Sequence, residues 1–186
     1  SRALDRESET GRHQGVIAFV SEYEYADFSQ LCAPKDSPRF VVVCDGVEDV
    51  HNLGSIIRVA ECAGADGVVI PKNKSAQVTG AVVRISEGAA NHIKVARVPG
   101  VNYAIDELKK AGYWVYGLEA DGEDIYASDL TGDIALVVGG ENSGIGALTR
   151  KKCDKILSLP LYGKVNSLNA SVALGAAAYE AVRQRR

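Results

Sequence analysis

Short apolar runs of strand length recur along this chain, and between them lie segments with a helical apolar period. The runs at 40–44, 67–70, 93–98, 113–118, 134–138 and 155–159 read as buried strands. Residues 52–63 read as a helix, with Ile56, Ile57, Ala60 and Ala63 on one period and Gly64 at its end. Residues 75–85 read as a second helix, with Ser75 as its cap. Residues 101–111 put Ala104, Ile105 and Leu108 on one face before Gly112. A short helix is expected over 147–153, and a closing helix over 169–183. Residues 121–133 read as a polar connection. Ahead of this regular part, residues 1–12 carry charge without apolar period and read as an arm. An edge strand is expected near 15–20, a short helix over 23–31 and a two-proline loop over 33–38.

Strands alternating with helices at this spacing predict an α/β fold: a parallel, Rossmann-like sheet of about six strands with helices on both faces. At 186 residues the chain suits one such domain with a short arm. Periodicity leaves strand order and threading open.

Composition narrows the function classes. The apolar fraction of 46% is ordinary for a globular core. No apolar run reaches membrane-spanning length, and the first residues lack the apolar core of a signal peptide. Cys32, Cys44, Cys62 and Cys153 form no C-x-x-C pair, so reduced, mostly buried thiols in a cytoplasmic protein are expected. His13, His51 and His92 lack metal-ligand spacing, and no metal is expected. The net charge of −3 argues against one large basic face. Local positive charge remains available from Lys72, Lys74, Arg84, Lys94, Arg97, Arg150, Lys151, Lys152 and Lys164, most of which read as solvated surface. The chain contains no Met and starts Ser1-Arg2-Ala3-Leu4, which predicts a fragment lacking a preceding domain.

Three polar motifs follow predicted strands, where ligands bind in α/β folds. The first is Asn52-Leu53-Gly54-Ser55-Ile56-Ile57-Arg58. Asn52 can cap a helix, and Arg58 offers a planar fork suited to phosphate or to Asp49 or Glu61. The second is Gly139-Gly140-Glu141-Asn142-Ser143-Gly144, whose paired glycines allow a nucleotide-like group close to the backbone or simply make a tight turn. It matches neither G-x-G-x-x-G nor a phosphate-binding P-loop. The third is Leu159-Pro160-Leu161 with Asn166-Ser167-Leu168-Asn169, opening a helix of small residues that can pack closely on a neighbour. No G-x-S-x-G elbow supports hydrolase chemistry.

Over residues 40–183, the order Asn-x-Gly-x-x-x-Arg, Gly-Gly-Glu, then Leu-Pro-Leu with Ser-Leu-Asn-x-Ser resembles the SpoU/TrmH family of RNA ribose 2′-O-methyltransferases in the SPOUT superfamily. His13-Gln14-Gly15-Val16, Asp45-Gly46-Val47, Pro71-Lys72-Asn73-Lys74-Ser75-Ala76 and the ending Glu180-Ala181-Val182-Arg183-Gln184-Arg185 are most similar to its bacterial (RlmB-like) branch, which methylates a guanosine in 23S rRNA. The resemblance implies a C-terminal trefoil knot, S-adenosylmethionine as cofactor, RNA as substrate and a homodimer through the knot region. It implies that 1–12 follow a missing N-terminal RNA-binding domain and that 13–186 form the catalytic domain. Gly139, Gly140, Leu159, Pro160, Leu161 and Leu168 would then hold the cofactor. Arg58, Asn52, Glu141, Ser167 and Asn169 would form the reaction centre. A tRNA-directed enzyme and a non-catalytic RNA-binding assembly factor are the alternatives.

Overall fold

Six strands run parallel in one sheet, in the order β3-β2-β1-β5-β4-β6. They are β1 (Phe40–Asp45), β2 (Gly67–Pro71), β3 (Lys94–Val98), β4 (Trp114–Asp124), β5 (Ile134–Gly139) and β6 (Lys155–Ser158). The computed structural model describes residues 2–8, 15–16, 22–140 and 143–186. Around the sheet lie α1 (Arg2–Glu7), α2 (Ser29–Cys32), α3 (Val50–Cys62), α4 (Gly80–Ile85), α5 (Val101–Lys110), α6 (Ala147–Lys152) and α7 (Ala170–Gln184).

Side chains alternate across a strand, so each central strand feeds two cores. Phe40, Val42 and Cys44 of β1 pack with Leu53, Ile56 and Ile57 of α3 and with Leu174 and Ala178 of α7. Val41 and Val43 belong to the opposite core, with Ala104, Ile105 and Leu108 of α5. Both faces are covered, which is why β1, β2 and β5 read as continuous apolar runs. Each fully buried Val, Leu or Ile contributes about 1.5–3 kcal/mol.

Chain order creates the crevice. From β1 the chain winds outward through β2 to β3, then crosses to β4 and returns to place β5 between β4 and β1. β6 adds outside β4. Residues 159–169 then lead back to α7, which packs on α3.

Several expectations change. The helix expected over 23–31 shrinks to α2, because Tyr23 and Tyr25 hold the preceding segment against the β3 edge. Ala26 forms a parallel bridge with Ala96, Tyr23 Oη donates to Ala90 O, and Tyr25 Oη accepts from Val78 N. The helix expected over 75–85 starts at Gly80; Ser75 Oγ bonds the carbonyls of Val47 and Ala76 and caps nothing. Within the arm expected over 1–12, Arg2–Glu7 are helical. The edge strand expected near 15–20 lies largely outside the described residues. β4 runs on into the stretch read as a polar connection, because β6 pairs with it twice. Leu157 faces Leu118 and again Glu123, across a register shift. That bulge turns Glu119 and Ala120 out of the ladder.

Candidate functional site

A cavity of about 450 Å³ opens over the bulge of β4 and the C-terminal ends of β5 and β6, beneath residues 159–173. Its floor is Leu118, Val138, Gly139 and Leu157, and its roof is Leu159, Leu161, Leu168 and Ala173. Gly140, Ser167 and Asn169 line it as well. Apolar side chains with exposed peptide edges suit a flat heteroaromatic ring, which needs contact area and a few placed polar groups. Pro160 is not among the lining residues, although its neighbours Leu159 and Leu161 are.

The paired glycines answer first to the chain itself. A Cβ on Gly139 would fall 2.1 Å from the Gly144 carbonyl carbon, and one on Gly140 would fall 2.2 Å from Gly46 O. Gly144 N donates to Gly140 O at 2.9 Å and closes the turn. Close approach is required here, but the approaching group is backbone. Gly139, Gly140 and Gly144 line one wall of the cavity.

Asn52 does not cap α3. Asp49 does, accepting from Asn52 N at 2.8 Å. Asn52 is freed for a longer contact: Asn169 Nδ2 donates to Asn52 Oδ1 at 2.9 Å, across 117 residues of chain. Asn169 Oδ1 accepts from Ser171 N and Val172 N and so caps α7. One side chain fixes the start of α7 and the first motif together. Arg58 is exposed on α3 and lines neither this cavity nor the one beside it. Glu141 lies outside the described residues, as does His13.

Glu119 is the site residue that the sequence reading missed. Its Oε1 accepts from Ile145 N, and the residue lines the cavity. Its position depends on the β4 bulge, for which the polar run from 119 onward gives no period.

A second cavity of about 560 Å³ lies alongside, over the ends of β1, β2 and β3, and Asn52 lines it. Among the described residues no group of three His, Cys, Asp or Glu could hold a metal. Cys44 is fully buried, which pushes its thiol up to about 12, and burial holds Cys153 at about 11. Neither is a thiolate near neutral pH. Cys62 is exposed and Cys32 and Cys153 are half-buried, so the thiols are less buried than expected. His51 and His92 are exposed. Arg150 is engaged by Asp121 through two bonds of 2.9 and 3.0 Å. No helix among the described residues is long and apolar enough to cross a membrane.

The SpoU rRNA methylase family matches residues 39–179. A Staphylococcus haemolyticus protein named for the TrmH family of tRNA/rRNA methyltransferases is 47% identical over 178 residues, covering 93% of this chain and 71% of its own. YacO of Bacillus subtilis, named for the same family, is 46% identical over 180 residues, covering 95% of this chain and 72% of its own. Among solved structures, the SpoU methyltransferase AviRb from Streptomyces viridochromogenes superposes with a TM-score of 0.80 at 31% identity. That match covers 87% of this chain but 65% of AviRb, so this chain spans just under two thirds of AviRb's length. AviRb has also been crystallised in complex with the cofactor AdoMet, and that structure superposes with a TM-score of 0.75 over 82% of this chain and 60% of AviRb.

Proposed function

Because the chain belongs to the SpoU family of RNA methylases, we propose that it methylates the 2′-hydroxyl of a guanosine ribose in 23S rRNA, with S-adenosylmethionine as donor. The observation that carries this reading is the joining of the first and third motifs by the Asn169–Asn52 bond at the rim of the 450 Å³ cavity.

The cofactor fits this cavity on its own chemistry. Leu159, Leu161 and Leu168 offer apolar faces for an adenine, and Gly139 and Gly140 line the cavity beside them. Glu119 supplies a carboxylate, an acceptor for hydroxyl or ammonium donors. S-adenosylmethionine supplies a methyl group already activated by its sulfonium charge, so the protein has to orient the attacking hydroxyl and help remove its proton.

Asn52 Oδ1 is occupied by Asn169, which leaves the Asn52 amide as a donor for the ribose. Ser167 holds the ribose from the opposite wall. Arg58, exposed on α3 outside both cavities of the single chain, takes the phosphate beside the target once RNA is bound. An arginine with a pKa above about 12 does not serve as the base; the proton passes to the phosphate that Arg58 holds. The chain acts as a homodimer, with residues 159–169 threaded as a trefoil knot beneath the interface. Support for the dimer comes from Leu168, Val172 and Tyr179, which are 44%, 56% and 52% exposed along the loop and one side of α7.

The test is tritiated methyl transfer from S-adenosylmethionine to an unmodified 23S rRNA transcript and to bulk tRNA. Label in the 23S transcript, with one guanosine made resistant to alkaline cleavage, is expected. Label in tRNA alone would move the substrate to tRNA. Cofactor binding without label on either RNA would favour an assembly factor. Arg58→Ala should abolish transfer and leave cofactor affinity unchanged.

A further inference from the structure

The second cavity shares walls with the first at Gly140, Gly144 and Ala170. Asn52, bonded to Asn169 of the first cavity, lines the second. A nucleotide whose ribose reaches the Asn52–Asn169 pair can place its base in this 560 Å³ space.

The walls specify what fits. Three carboxylates line the cavity, at Asp45, Glu48 and Asp49. Two are committed within the chain: Asp45 accepts from Gly146 N at 2.9 Å, and Asp49 caps α3. Glu48 has no hydrogen-bond or ion-pair partner among the described residues. Asn102 also lines the cavity, and its Oδ1 is the one buried side-chain polar atom without a partner among the described residues. Carboxylates therefore outnumber cations in the lining, three to one. Such a wall repels a phosphate and favours a neutral ring that presents N–H groups. Pro71 and Pro99, just after or at the ends of β2 and β3, add flat apolar faces for that ring.

Lys74 is the one cation of the lining. Its φ of 54° lies in the left-handed region, which only Lys74 and Glu87 occupy among the described non-glycine residues. It too has no partner among the described residues. Backbone held in this region by a lysine costs energy and persists where the surroundings fix it.

We propose that this cavity binds the base of the target nucleotide as a guanine, with Glu48 accepting from its N1–H and N2–H groups and Lys74 holding its phosphate at the mouth. Guanine alone among the RNA bases places two N–H donors side by side, matching the two oxygens of one carboxylate. The proposal rests on the RNA-methyltransferase reading above and assigns that reaction its specificity residue.

The test is an NMR titration of the chain saturated with S-adenosylhomocysteine, adding GMP, IMP or AMP. IMP lacks the N2 amino group. GMP should bind about tenfold more tightly than either, the discrimination expected of one bidentate pair. Glu48→Gln should erase the preference for GMP over IMP. Lys74→Ala should weaken GMP while leaving guanosine binding unchanged. Equal binding of the three nucleotides, or a preference that survives Glu48→Gln, would overturn the proposal. Cofactor binding by each variant reports that it is folded. Wild-type chain that binds no S-adenosylmethionine would count against the methyltransferase reading; a guanine preference lost in Glu48→Gln would still locate a base pocket.

Discussion

Asn169 is the residue on which local and long-range structure meet. Its Oδ1 caps α7 and its Nδ2 reaches Asn52. The two roles separate by mutation. Asn169→Ala removes the cap as well as the link, costing about 1 kcal/mol, or a fall in Tm of about 3 °C for a chain of this size. Asn52→Ala keeps the cap and should leave Tm within about 1 °C of wild type, while methyl transfer falls at least about tenfold. Thermal melts beside transfer assays decide the matter. Equal destabilisation by both variants with transfer intact would reduce the pair to a structural strut. The sequence marked both asparagines as special but misjudged one of them. Asn52 sits where a cap residue could sit, and Asp49, three residues earlier, occupies that place. Both types cap well, so local sequence alone does not choose between them.

The long helices α3, α5 and α7 were the most legible, their bounds shifting by a residue or two, whereas the helices expected over 23–31 and 75–85 lost their N-terminal five or six residues to irregular segments. α7 also carries a measurable pH dependence. Glu180 is 5% exposed, and its carboxylate accepts from Arg183 Nε and Nη2 and from Gln184 Nε2. The bonds from Arg183 and then Gln184 lower its pKa from the ordinary 4.5 to about 2. A carboxylate with a depressed pKa stabilises the fold above its unfolded value and loses that contribution as pH falls through the folded one. Stability of the wild-type chain should therefore decline between pH 4.5 and about 2. Glu180→Gln should flatten that part of the decline, read as urea midpoints at pH 5 and pH 2.5. A decline as steep as wild type would show that other carboxylates govern it. β4 was the least legible element. Its residues beyond Leu118 are polar and lack alternation, and they become strand through pairing with β6, a partner more than thirty residues away (Glu123↔Leu157). Glu119 owes its place in the cavity to that pairing.

At the scale of the molecule, the exposed apolar stripe on α7 and its leading loop predicts a partner surface. Val172→Glu combined with Tyr179→Glu should convert the proposed homodimer to monomers in sedimentation velocity. A double variant that still sediments as a dimer would place the interface elsewhere. Neither side chain is in the buried core, so the fold should survive the change.

The layered α/β architecture is legible in the chain alone, because burial on both sheet faces writes uninterrupted apolar runs and 3.6-residue periods into it. The sequence also marked part of the cavity lining, from Gly139 and Gly140 to Ser167, Leu168 and Asn169, since glycines, amides and hydroxyls cluster just past the strands. Tertiary structure alone decided which of those residues meet. The Asn52–Asn169 bond spans 117 residues, Glu119 is turned inward by a register shift, and Arg58 is left on the outer surface of α3. The reason is physical: propensity and capping act within a few residues, whereas a site forms from strand order and register, which arise between segments far apart in the chain.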